Sequence, residues 1–98
     1  MATIEIRHAV SDYATWKRAF DSDPLGRAKN GVVRHTVYRP ADDPNYIVVT
    51  LDFETRERAQ QFVPALRKLW SRVGSQLGFG GDDGVQVRVL DEVERIEY

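Results

Sequence analysis

Polar and apolar residues alternate from Ala2 to Val10, with Ile4, Ile6, His8 and Val10 on one side and Thr3, Glu5 and Arg7 on the other. A period of two predicts a strand with one face buried. Ser11 and Asp12 then offer helix N-caps, and Tyr13, Trp16 and Phe20 follow at helical spacing. Pro24 should end that helix, leaving Asp23 to cap a short extra turn through Leu25, Arg27 and Lys29 before the turn pair Asn30-Gly31. Val32 to Arg39 reads as a second strand and Tyr46 to Phe53 as a third. They are separated by Pro40-Ala41-Asp42-Asp43-Pro44-Asn45, a run of turn formers that suits antiparallel pairing.

Thr55 caps the second helix, whose apolar residues Ala59, Phe62, Val63, Leu66, Leu69, Trp70 and Val73 recur every three or four positions. Pro64 falls within it and lacks the N–H of the helical ladder, which predicts a kink or two helical pieces. A glycine-rich connection, Gly74 to Gly84, leads to a last strand from Val85 through Val87 and Val89. Two helices with one apolar stripe each must cover one face of a four-stranded sheet, because neither can bury its stripe alone. With right-handed crossovers the order is a β-α-β-β-α-β sandwich, an α+β, ferredoxin-like fold filling residues 1–98 as one domain. The other sheet face should carry Glu5, Arg7, Arg34, Asp52 and Arg88 among Val32, Tyr38, Tyr46, Val48 and Leu90.

Composition narrows the function. Ninety-eight residues bury about 60 to 70% of the unfolded surface, so a partner subunit is a natural aid. Fourteen basic and fifteen acidic residues leave a net charge of −1, which gives no field to hold nucleic acid or an anionic membrane. The absence of cysteine removes disulfides, thiolate metal sites and a thiol nucleophile. Neither a signal-peptide pattern nor an apolar run of membrane-spanning length is present, so a cytoplasmic location is expected. An RNA-recognition domain shares this element order and needs stacking aromatics in a basic third strand, but Tyr46 to Phe53 has no basic-glycine start and the charge is wrong.

The stretches His8-Ala9-Val10-Ser11-Asp12-Tyr13, Trp16-Lys17, Phe20-Asp21, Val37-Tyr38-Arg39 and Asp43-Pro44-Asn45 resemble the dimeric α/β-barrel superfamily, and within it the antibiotic-biosynthesis-monooxygenase-like proteins. The resemblance implies a homodimer in which two sheets close one barrel. It also implies an activity drawn from a range that includes cofactor-free oxygenases of aromatic polyketides, polyketide cyclases, isomerases and haem-degrading enzymes. Haem-degrading members use an Asn, a Trp and a His around the porphyrin; here the first strand has His8 and no Asn, and no histidine lies on or after the second helix.

Among the candidate site residues, His8 lies on the face beneath the helices, where an imidazole could move a proton near neutral pH. Trp16, Phe62 and Trp70 supply flat apolar walls for an aromatic ligand, or simply core. His35, grouped by alternation with Val33 and Val37, and Arg39 could partner an anion, and Tyr38 could give a hydrogen bond. Two histidines fall short of the three or four ligands of a metal site. The glycines of Gly78-Phe79-Gly80-Gly81-Asp82-Asp83-Gly84 precede a strand rather than a helix, which argues against a phosphate loop. The expectation is a small-molecule enzyme without metal or organic cofactor, a monooxygenase or cyclase acting on an aromatic or polyketide-like substrate. A non-catalytic ligand-binding or dimerisation module is the alternative.

Overall fold

Alternation on the first strand is realised without a break. In the computed structural model, which describes residues 1–77 and 84–98, β1 (Ala2–Ala9) buries Ala2, Ile4, Ile6 and His8 on one face. It pairs antiparallel with β3 (Tyr46–Phe53) on one side and with β4 (Gln86–Asp91) on the other. Ile4 stands opposite Leu51 and Val89, and Ile6 opposite Val49 and Val87. The edge strand β2 (Val32–Tyr38) pairs antiparallel with β3, giving the order β2-β3-β1-β4. This is the α+β, ferredoxin-like topology that the element order predicts.

Helix α1 (Tyr13–Ser22) begins at Asp12, whose carboxylate accepts from the Thr15 backbone N–H at 2.9 Å and from its hydroxyl at 2.6 Å. Such a cap stabilises by about 1 kcal/mol. The helix ends one residue before Pro24, at Asp23, which takes a left-handed φ of 50° while its N–H bonds to the carbonyl of Phe20. Asp23 then accepts from the backbone N–H of Arg27 at 2.9 Å, so its side chain shapes the short connection that the sequence places there. A 3₁₀ turn at Ala28–Asn30 closes on Gly31, whose φ of 99° is one that side chains with a Cβ rarely adopt.

Two expectations are corrected. Helix α2 (Arg56–Leu77) runs through Pro64 without dividing into the two pieces that were one of the expected outcomes, and takes in the first residues of the expected glycine-rich connection. Pro64 and Gln60 both lie on the water-facing side, so the Gln60 carbonyl that loses its partner is solvated rather than orphaned. Buried Ala59 and Phe62 on one side of the proline and Leu66 and Trp70 on the other hold the two halves to the same sheet. Packing of that stripe outweighs a local cost of about 3 kcal/mol.

The second correction concerns β2. Its register shifts between Val32 and Arg34, a bulge that sets Val32 opposite Phe53 and Arg34 opposite Asp52. Val32 therefore enters the core instead of the open face, and Val33 is 52% exposed instead of sharing the inner face with His35 and Val37. The remaining open-face residues stand as expected: Arg34 and Tyr38 lie opposite Asp52 and Val48, and Arg7 opposite Val48 and Gln86. Asp52 ties three strands of that face together, accepting from the Thr3 hydroxyl at 2.7 Å and from the Arg34 guanidinium at 2.8 Å.

The core sits between sheet and helices, with Phe53, Ile4, Ile47, Leu51 and Val49 at its most enclosed part. Among the described residues, no helix is long and apolar enough to cross a membrane. The expected loop Gly78 to Asp83 lies outside the described residues.

Candidate functional site

Between the sheet, α1 and α2 lies a cavity of about 390 Å³, within the range of small-molecule sites. Its floor is sheet: Ile6 and His8 of β1, Val49 and Leu51 of β3. One wall comes from Trp16, Ala19 and Phe20 of α1 and from the connection that follows, including Leu25 and Arg27. Phe62, Leu66, Leu69, Trp70 and Arg72 of α2 form the other. Helical spacing explains each contribution, because Trp16 and Phe20, or Phe62, Leu66 and Trp70, share the sheet-facing side of their helix.

His8 is 3% exposed, the one buried residue among those described that is neither aliphatic nor a hydrophobic aromatic. Its Nδ1 lies 2.9 Å from the carbonyl oxygen of Ala9. A carbonyl has no proton to give, so Nδ1 is the donor, and the neutral ring keeps its lone pair on Nε2. Burial holds the imidazole below its usual 6.5, while the bond to Ala9 opposes that shift. The ring at pH 7 is thus a neutral base in an apolar wall. Trp16 meets it edge-on at 6.3 Å between centroids, and Trp16 in turn stacks on Phe20 at 5.0 Å.

Of the residues singled out in the sequence, His8, Trp16, Phe62 and Trp70 come together here. His35, Tyr38 and Arg39 do not line the cavity. His35 is exposed and packs edge-on against the outer side of the aromatic row, 5.1 Å from Phe20. Tyr38 points from the open face, and the Arg39 guanidinium stands 4.5 Å from the centre of the Tyr13 ring. Sequence reasoning passed over Arg27 and Arg72. Arg27 had a signal, its spacing four residues after Asp23 in the capped connection; Arg72 looked like any solvated helix arginine. Among the described residues, no group of three or more His, Cys, Asp or Glu side chains could hold a metal ion.

SnoaB of Streptomyces nogalater, a cofactor-independent oxygenase, matches 99% of this chain and 97% of its own at 18% identity with a TM-score of 0.70. A dimeric ferredoxin-like protein from an uncultured marine organism matches all of both chains at 9% identity and a TM-score of 0.70. A candidate antibiotic biosynthesis monooxygenase from Deinococcus radiodurans matches all of this chain and 98% of its own at 10% identity and a TM-score of 0.71. The chain shares the ferredoxin-like fold of these structures. The same fold also carries MhuD, solved with manganese protoporphyrin IX in its active site, at 12% identity and a TM-score of 0.61. Fold alone therefore does not choose the chemistry. No family model matches the chain, and no curated protein matches it.

Proposed function

We propose that this chain is a cofactor-independent oxygenase of flat aromatic substrates, working in the cavity between sheet and helices, with His8 as the proton acceptor. The observation that supports this most is His8 itself. A buried neutral imidazole, its tautomer set by the Ala9 carbonyl, lies in the floor of an aromatic-walled cavity of ligand size. An oxidisable methylene or phenol held between Trp16 and Trp70 would give its proton to Nε2. The resulting carbanion or phenolate passes one electron to dioxygen, and the radical pair joins in a C–O bond. The peroxide takes back the proton from His8 and, at a methylene carbon, loses water to leave a carbonyl. One oxygen atom ends in product and the other in water. The protein's part is to orient the ring, move the proton and keep out bulk water.

An oxygen electrode tests this with a 9-anthrone as substrate. The wild type should consume dioxygen well above the buffer rate, and His8→Gln should lower kcat by about 10² to 10⁴ with little change in binding. No rate above buffer, or a His8→Gln variant as fast as the parent, would refute the proposal. Quenching of Trp16 and Trp70 fluorescence by the anthrone without turnover would instead favour a non-catalytic binding module.

A homodimer belongs to the same proposal. The open sheet face carries exposed Tyr38 and Leu90 beside partly covered Val48 and Tyr46, an apolar area rimmed by charges of both signs. The marine protein of this fold is described as dimeric.

A further inference from the structure

Against its aromatic and aliphatic walls, the cavity sets two cationic side chains, Arg27 and Arg72. Arg27 is not a loose surface arginine. Its side chain is 17% exposed, its guanidinium carbon stands 3.8 Å from the centre of the Phe20 ring, and Nη1 donates to the Phe20 carbonyl oxygen at 2.9 Å. The Asp23 carboxylate is 3.6 Å from the same Nη1, near enough to offset charge and too far for a good hydrogen bond. Nε and Nη2, the edge of the fork that fits a carboxylate with two parallel bonds, have no hydrogen-bond partner among the described residues. Arg72 lines the cavity as its second cationic side chain and has no ion pair among the described residues.

We infer that Arg27, assisted by the charge of Arg72, forms an anion subsite of the cavity, and that the ligand is an aromatic ring system bearing a carboxylate. The inference rests on the cavity being the ligand site, as in the proposed function, and adds the substrate's charge. The stacking on Phe20 and the bond to its carbonyl fix the guanidinium before the ligand arrives, so little side-chain entropy is lost on binding. The low exposure of the group keeps the interaction from being screened as a surface pair would be. A phenol, neutral at pH 7, would gain far less from this site than a carboxylate.

A matched pair of probes isolates the charge. Binding of 2-naphthoate and of its neutral counterpart 2-naphthamide is followed by tryptophan fluorescence. The wild type should bind the acid about tenfold or more tightly than the amide, since a charged hydrogen-bonded pair is being compared with a neutral one. Arg27→Gln should abolish that ratio, Arg27→Lys should keep part of it, and Arg72→Gln should reduce it. Because Arg27 also braces the α1–β2 connection, the effect of salt on the wild type forms an independent arm: added salt should narrow the ratio. A staple with no ligand role would change stability and leave the ratio alone. Equal binding of acid and amide, failure of both to bind, or a ratio unmoved by salt and by Arg72→Gln would overturn the subsite. The anthrone assay carries no carboxylate, so the oxygenase proposal stands or falls separately from this ratio.

Discussion

His8 couples the candidate chemistry to stability. Burial lowers its pKa in the folded state, so the unfolded chain, with an ordinary histidine near 6.5, binds the proton more readily. Stability from this residue is fully present above the unfolded value. It declines as pH falls below about 6.5 and levels off once pH is under the lower folded value. Urea midpoints measured at pH 7.5 and 5.5 should therefore differ more for the wild type than for His8→Gln. An equal difference in the two proteins would mean that His8 titrates alike folded and unfolded. The position of this histidine was legible in the strand alternation, because its neighbours Ile4, Ile6 and Val10 leave that side only one place to go. The placement of Arg27 was legible only in its spacing from Asp23, since its nearer partners are a ring face and a main-chain carbonyl on α1, contacts that residue types do not announce.

Among the elements, α2 shows how a helix accommodates a proline. Its Pro64 ring faces water, and the apolar stripe on either side stays buried. Pro64→Ala would restore the bond to the Gln60 carbonyl and remove the ring clash, offset by the extra freedom of the unfolded chain. A rise in stability of roughly 1–2 kcal/mol is expected on that balance, seen as a higher urea midpoint with an unchanged m-value. A lower midpoint would mean that the proline fixes a bend the packing needs. Local chemistry alone predicted an interruption because it counts the lost N–H but not the sheet beneath Phe62 and Leu66. β2 departed from expectation for the opposite reason. An edge strand with one covered side tolerates an extra residue, and the bulge after Val32 overturns what simple alternation implied for Val32 and Val33 while leaving Arg34 to Tyr38 in step. β1 and β3, paired on both sides, had no such freedom.

At the scale of the whole molecule, the open face of the sheet is the place to test association. Val48 lies centrally on it, between Arg7 of β1 and Tyr38 of β2. In the proposed homodimer, Val48→Asp would set an unpaired carboxylate into the contact and weaken the dimer by several kcal/mol. Sedimentation of wild type at micromolar concentration should give a dimer and the variant a monomer; a monomeric parent or an unaffected variant would remove this face as the interface. The cavity lay beyond sequence reading because four separated segments, around residues 6–8, 16–27, 49–51 and 62–73, build it jointly. Alternation and helical period assign each to the inside, but whether the helices meet or stand apart above the sheet depends on their spacing.

The bulge in β2 has a consequence for how molecules behave when crowded. A strand from another chain that tries to extend the sheet along this outer edge must match a regular row of amides and carbonyls, and the extra residue at Val33 throws that row out of step near its start. With charged Arg34 next to it, the edge is a poor template for stacking one sheet onto the next. Association is thereby steered away from open-ended growth along the edge.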